Sequence, residues 1–141
     1  MSGAISRRKP GCLKMAKNES ELTVITKAKE LCTYIMTVTQ KSPKQFRYTF
    51  LTRMQNLSLS VIENLFRAND IYPADSLLLK ERRNFQQQAL TDIKILAYFS
   101  MLAMEQKCIL PKQFEQIARL TEDCRFLTAG WISSDQKRFK P

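Results

Sequence analysis

The chain has 141 residues, which is enough for one domain that buries a sizeable core. It carries 23 Lys and Arg against 13 Asp and Glu, a net charge of +10, and no histidine. A surplus of this size attracts polyanions and favours a nucleic-acid partner, the alternative being that the cations merely solvate outer helix faces. The missing histidine removes the commonest general base and the commonest metal ligand, which disfavours most enzymes.

The numbers of glycine, proline and cysteine residues narrow the class of protein further. Only three glycines and five prolines occur, so turn signals are scarce and long helices are favoured over β-hairpins. Four cysteines lie far apart, which excludes the paired spacing of a zinc site: Cys12, Cys32, Cys108 and Cys124. No apolar stretch is long enough to span a bilayer, and no apolar run follows the charged N-terminus. We expect a cytoplasmic protein with buried thiols, no cofactor and no membrane association.

The first segment and the first helix differ in composition. Residues 1–18 carry five cations and no acid, which predicts a flexible basic N-terminal arm that follows a phosphate backbone or is simply a frayed terminus. Met15 also fits a native start, which would make the first 14 residues an extension without function.

A helix is predicted from about residue 20 to residue 41, with Ser20 as its N-cap.

The second predicted helix runs from Ser42 to Asp70. Ser42 followed by Gln45 is a capping-box pattern, and Pro43 suits the first helical position. Its apolar stripe is Phe46, Phe50, Met54, Leu57, Val61, Leu65 and Ala68. The opposite face is polar and cationic: Gln45, Thr49, Arg53, Asn56, Ser60, Glu63 and Arg67.

Two more helices complete the chain. The third is predicted over residues 76–107, capped by Asp75 or Ser76, with a core stripe of Leu78, Phe85, Ala89, Ile93, Leu96, Ser100 and Ala103. The fourth is predicted over residues 111–134, with a core face of Phe114, Ile117, Leu120, Thr121, Cys124, Leu127 and Trp131. Residues 135–141 are predicted to form a basic C-terminal tail. Four helices with short links predict an all-α antiparallel up-down-up-down four-helix bundle over residues 19–134.

The candidate functional residues are mostly cations. No nucleophile–base pair, phosphate loop or metal-ligand cluster can be named, so we expect no catalytic residue and no enzyme. The predicted nucleic-acid contacts are Arg53, Arg67, Lys80, Arg83 and Lys94, followed by Arg119, Lys137 and Arg138. Tyr98 and Phe126 fall on polar faces, where they predict an oligomer or partner interface or are ordinary exposed apolar residues.

Two stretches of the fourth helix resemble a known family. Phe114-Glu115-Gln116-Ile117-Ala118-Arg119-Leu120 and Leu127-Thr128-Ala129-Gly130-Trp131-Ile132 resemble the C-terminal signature of a bacterial four-helix-bundle family. Its members include the accessory variability determinant (Avd) proteins of diversity-generating retroelements and proteins encoded in intervening sequences of ribosomal RNA. The stretches at residues 26–31 and 62–69 resemble that family's first two helices. The resemblance covers residues 20–135, with Ala129 as a mild departure.

The resemblance implies a function. Avd-type proteins form a basic, barrel-like homopentamer that binds a reverse transcriptase and its template RNA or RNA–DNA hybrid and supports mutagenic cDNA synthesis. They have no enzymatic activity of their own. In this reading Gly130 permits close approach of a helix and Trp131 adds a large buried contact. The alternatives are a protein-interaction scaffold or an intervening-sequence protein without a reverse transcriptase partner.

Overall fold

Four long α-helices enclose one core in a computed structural model, which describes residues 19–139 and their side chains from Thr23 onward. The helices are α1 (Glu19–Gln40), α2 (Thr52–Asp70), α3 (Ser76–Glu105) and α4 (Pro111–Arg138). No strand occurs within residues 19–139, so the prediction of an all-α fold is confirmed. The predicted basic arm with Cys12 lies outside the described residues, as do the side chain of Ser20 and the last two residues of the chain.

Each helix packs on two others around the core. Both α1 and α3 contact α2 and α4. The periodic apolar positions point inward as predicted, and the most fully buried large side chains are Leu31, Ile35, Met54, Leu65, Ile93, Leu96, Ile117 and Trp131. The start of α3 differs from the predicted core stripe, because Leu79 is buried there and Leu78 is only half-buried. The face of α3 that meets the core is therefore rotated slightly from the one that apolar residues alone suggest.

The link between α1 and α2 corrects the predicted capping box. The Ser42 hydroxyl donates to the Val38 carbonyl at 2.9 Å, so this side chain finishes α1 instead of starting the next helix. Pro43 precedes a short 3-10 helix (Lys44–Phe46) and a π-helical turn (Arg47–Leu51), and neither has a side-chain cap. The π turn ends at Leu51, which is buried, whereas Phe50 of the predicted apolar stripe is only half-buried.

The ends of α3 have well-defined caps. The Asp75 carboxylate accepts from the backbone N–H of Leu78 at 2.8 Å, which confirms the predicted N-cap. After α3, Lys107 adopts a left-handed conformation with φ of 64°, and the Cys108 N–H donates to the Ala103 carbonyl at 2.8 Å. This pattern is a Schellman-type C-cap, a position where glycine is the usual residue.

The last helix is longer than its apolar pattern indicated. It begins at Pro111 as predicted, and the Gln113 side chain accepts from the backbone N–H of Leu110 at 2.8 Å. It continues through Arg138, four residues beyond the predicted end at residue 134. Lys137 and Arg138 therefore belong to α4 and not to a C-terminal tail.

Candidate nucleic-acid interface

Seven of the eight predicted nucleic-acid contacts are exposed: Arg53, Arg67, Lys80, Lys94, Arg119, Lys137 and Arg138. Arg83 differs, because it is half-buried and its Nε atom is enclosed without a hydrogen-bond partner among the described residues. A phosphate that contacts Arg83 would reach only the outer part of its guanidinium group. Arg83 is therefore a weaker candidate than its position on the helix suggested.

The exposed cations are mostly free of neighbouring carboxylates. Within the described part of the chain, ion pairs engage Lys27, Arg82 and Arg125, and none involves the exposed cations Arg53, Arg67, Lys80, Lys94, Arg119 and Lys137. Arg119 donates instead to the Gln116 side-chain oxygen at 2.6 Å on the same helix. A cation without a carboxylate partner can contact a phosphate without first breaking an ion pair.

The predicted cations lie on several helices and in different surroundings. Lys94 lines a groove between α3 and α4, whereas Arg67 of α2 lies with its guanidinium carbon 6.0 Å from the centre of the Phe85 ring of α3. At the end of α4 the Arg138 guanidinium carbon lies 5.0 Å from the centre of the Phe139 ring. Arg67 and Lys94 therefore lie at different helix contacts, Arg67 where α2 meets α3 and Lys94 where α3 meets α4.

The groove between α3 and α4, here called the α3–α4 groove, is mainly apolar and encloses about 320 Å³. Its walls are Ile93, Lys94, Ala97, Tyr98 and Met101 of α3 and Phe114, Ala118, Thr121, Glu122 and Arg125 of α4. Tyr98 is 59% exposed at the rim, and Phe126, one turn after Glu122, is 69% exposed on α4. Both side chains are accessible, as an interface would require.

Gly130 and Trp131 have different roles from each other. Trp131 is buried in the core, as predicted. The prediction that Gly130 permits close helix approach is wrong for the helices of the described residues, because Gly130 is exposed and an added Cβ would meet none of their atoms within 4 Å. One residue along a helix is a rotation of about 100°, so the residue next to a core tryptophan can point to solvent.

A polar seam runs along the surface where α2 packs on α3. We define the α2–α3 seam by its lining residues, Ser60, Asn64, Asn84, Gln87, Gln88, Thr91 and Asp92. The Asp92 Oδ2 atom accepts from the Ser60 hydroxyl at 2.6 Å and from the Asn64 amide at 3.0 Å. Ser60, expected on an exposed cationic face, is therefore half-buried and bonded to an acid on the neighbouring helix.

A buried ionic network joins α3 to the end of α4. The Arg82 Nε donates to Asp135 Oδ2 at 2.7 Å, its NH2 group donates to Oδ1 at 3.0 Å, and Gln86 donates to Oδ2 at 2.9 Å. Arg82 also donates to the Ile71 carbonyl at 3.0 Å, and its guanidinium carbon lies 5.0 Å from the centre of the Trp131 ring. This network holds α4 in helical form beyond residue 134, where a tail was expected.

Sequence reasoning missed this network because it placed no charged residue and no glutamine in a core stripe. The spacing held a signal: Asp135 continues the series Cys124, Thr128, Trp131, and Arg82 and Gln86 continue the α3 core series backwards from Ala89. Positions that extend a core stripe and carry complementary charges on two helices are candidates for a buried pair.

Three cysteines lie in the described residues, and all three are buried free thiols, as predicted: Cys32, Cys108 and Cys124. Burial raises the pKa of Cys124 to about 12 and also raises the pKa of Cys108 above its ordinary value. Both thiols are protonated at neutral pH, so neither is a candidate nucleophile.

Comparisons with known proteins identified no relative. Neither the family models, nor the curated proteins, nor the solved structures match the chain. Among the described residues, no group of three or more Cys, Asp or Glu side chains is placed to hold a metal ion. None of the described helices is both long enough and apolar enough to cross a membrane.

Proposed function

We propose that this protein is a non-enzymatic, nucleic-acid-binding accessory subunit of a diversity-generating retroelement. In this proposal it associates with a reverse transcriptase and its template RNA and supports mutagenic cDNA synthesis. The observation that carries it is the set of exposed cations without a carboxylate partner among the described residues, on a chain of net charge +10: Arg53, Arg67, Lys80, Lys94, Arg119 and Lys137. The family resemblance of the α4 sequence adds the retroelement setting.

The four helices are proposed to alternate in direction. Thr39 near the end of α1 accepts from Gln55 near the start of α2 at 2.8 Å. Arg82 near the start of α3 pairs with Asp135 near the end of α4, which is the contact expected of antiparallel neighbours. These contacts support the up-down-up-down bundle, whose short links leave each helix beside the one that precedes it.

Binding is proposed to be stronger in an assembly than in one chain. The cations of one chain are scattered, so a homopentamer would repeat Lys80 and Lys94 around a ring and present them together to one RNA. Repeating modest contacts raises avidity without any new contact, and the phosphate contacts make the binding largely independent of sequence.

Charge reversal on α3 tests the proposed phosphate contacts. The double variant Lys80→Glu/Lys94→Glu changes two exposed side chains without ion-pair partners in the described structure, so it should fold normally. We expect its affinity for RNA in filter binding to fall at least tenfold, because two phosphate contacts are lost and two negative charges are introduced. The slope of log affinity against log salt concentration should also become shallower by about 0.7–0.9 for each lost contact.

A matched control reverses two lysines elsewhere. Lys29→Glu/Lys112→Glu has the same change in net charge, on exposed positions of α1 and at the start of α4. An equal loss of affinity in both double variants would show that net charge matters and that the α3 positions do not.

A second candidate function is a protein-interaction scaffold, or an intervening-sequence relative without a reverse transcriptase partner. The apolar α3–α4 groove and the exposed Phe126 favour a protein contact.

In sedimentation equilibrium, the proposed retroelement subunit is expected to be a pentamer, and the variant Phe126→Ser is expected to weaken it. A wild-type monomer at micromolar concentration would argue against the ring.

A further inference from the structure

The α2–α3 seam differs in chemistry from the basic surface around it. It forms a groove of about 430 Å³ that is open to solvent, and every residue that lines it is polar. No lysine or arginine contributes to its lining, although the chain has a net charge of +10. A surface built only for phosphates would place cations here.

Hydrogen-bonding groups in the seam are left available to a ligand. Oδ2 of Asp92 accepts from Ser60 and Asn64, whereas its Oδ1 accepts from no other described residue. Four exposed side chains of α3 also make no hydrogen bond within the described residues: Asn84, Gln87, Gln88 and Thr91. The seam thus offers one fixed carboxylate acceptor surrounded by amides that donate and accept.

The charge of Asp92 decides which part of a nucleic acid fits. No described cation lies within 4.0 Å of its carboxylate, so a phosphate in the seam would be repelled at short range. A neutral group with N–H donors would be attracted instead. The edge of a nucleobase is such a group, and acidic side chains accept hydrogen bonds from exocyclic amino groups.

Arg67 borders the seam and could contact the phosphate next to a base bound there. Arg67 lies one helical turn after Asn64 on α2, so the two side chains are neighbours on the same side of that helix. Its guanidinium lies against Phe85, one turn before Gln88 on α3. Arg67 is exposed there, so it can contact a phosphate or stack on a base that enters the seam.

We infer that the α2–α3 seam binds an unpaired nucleobase that carries an exocyclic amino group. The amino group donates to Asp92 Oδ1, the α3 amides contact the rest of the base edge, and Arg67 contacts the backbone. Cytosine, adenine and guanine have such a group and uracil does not. The inference rests on the proposed RNA binding and adds a base preference to contacts that are otherwise independent of sequence.

Fluorescence anisotropy with oligo(C) and oligo(U) of equal length tests the inference at neutral pH and low salt. Both are unpaired pyrimidine strands with the same phosphate charge, so they differ mainly at the base edge. The wild-type protein is expected to bind oligo(C) about fivefold more tightly, the discrimination of roughly one good base contact.

The variant Asp92→Asn should reverse or abolish this preference. Ser60 and Asn64 both donate to the Oδ2 position and would hold the amide oxygen there, which turns the amide NH2 toward the ligand. A donor in place of an acceptor suits the carbonyl oxygens of uracil and repels the amino group of cytosine. Glu63→Gln, an exposed acid of α2 outside the seam, removes the same charge and should leave the preference unchanged.

Gln88→Ala keeps the test decisive if Asp92→Asn misfolds, since Gln88 makes no hydrogen bond within the described residues. It should lower affinity for oligo(C) more than for oligo(U). Equal wild-type binding of the two strands would overturn the base site and leave the proposed RNA binding intact. Binding of neither strand at low salt would overturn the base site and the proposed function together.

Discussion

At the residue scale, the buried pair of Arg82 and Asp135 joins the end of α4 to the start of α3. Both side chains are almost fully buried, and two parallel hydrogen bonds join them. Removing one member of a buried pair leaves the other charge unpaired in the interior, which is much more costly than losing a surface pair.

Asp135→Ala is expected to lower the free energy of unfolding by about 3–5 kcal/mol, measured by urea denaturation. Asp123→Ala is the matched control, because Asp123 is an exposed acid of the same helix, 3.9 Å from Lys27, and should cost less than about 1 kcal/mol. Equal, small losses in the two variants would show that the Arg82–Asp135 pair does not stabilise the fold.

At the element scale, the end of α3 contains a correctable strain. Lys107 has a φ of 64°, where a side chain with a Cβ is disfavoured by about 1–2 kcal/mol and glycine is not. Lys107→Gly should therefore raise the free energy of unfolding by about 0.5–1 kcal/mol after its own entropic cost. Lys107→Ala removes the same charge but keeps the Cβ, so an equal gain in that variant would attribute the effect to charge.

The helices themselves were largely predictable, because their apolar residues recur at helical spacing. Asp75, Pro111 and Trp131 occupy the positions that capping rules and periodicity assign to them. The link at residues 41–51 was not predictable from local rules, since Ser42 satisfies a carbonyl of α1 and the next turn is wider than an α-helix.

The polar contacts between helices were also beyond local rules. Asp92 and Asp135 each bond to a residue on another helix, about 30 and 50 positions away along the chain respectively. Periodicity places a polar residue on a face but does not say which partner meets it there. For the same reason the α2–α3 seam and the α3–α4 groove follow only from the packed structure.

At the scale of the whole molecule, charge and packing divide the described surface into regions of different chemistry. Exposed cations lie on several helices, an apolar groove runs between α3 and α4, and a polar seam runs between α2 and α3. A protein that binds one RNA with scattered cations needs either a long strand or several copies of itself. The proposed ring supplies the second arrangement.

The salt dependence of RNA binding tests the central claim most directly. Filter binding of the wild-type protein to a structured template RNA is measured between about 50 and 200 mM salt, a range over which six to ten phosphate contacts cost about 10³–10⁵ in affinity. We predict tight binding at the lower concentration and a steep linear fall of log affinity with log salt concentration. Weak binding at the lower concentration, or an affinity that salt does not change, would contradict the proposed function.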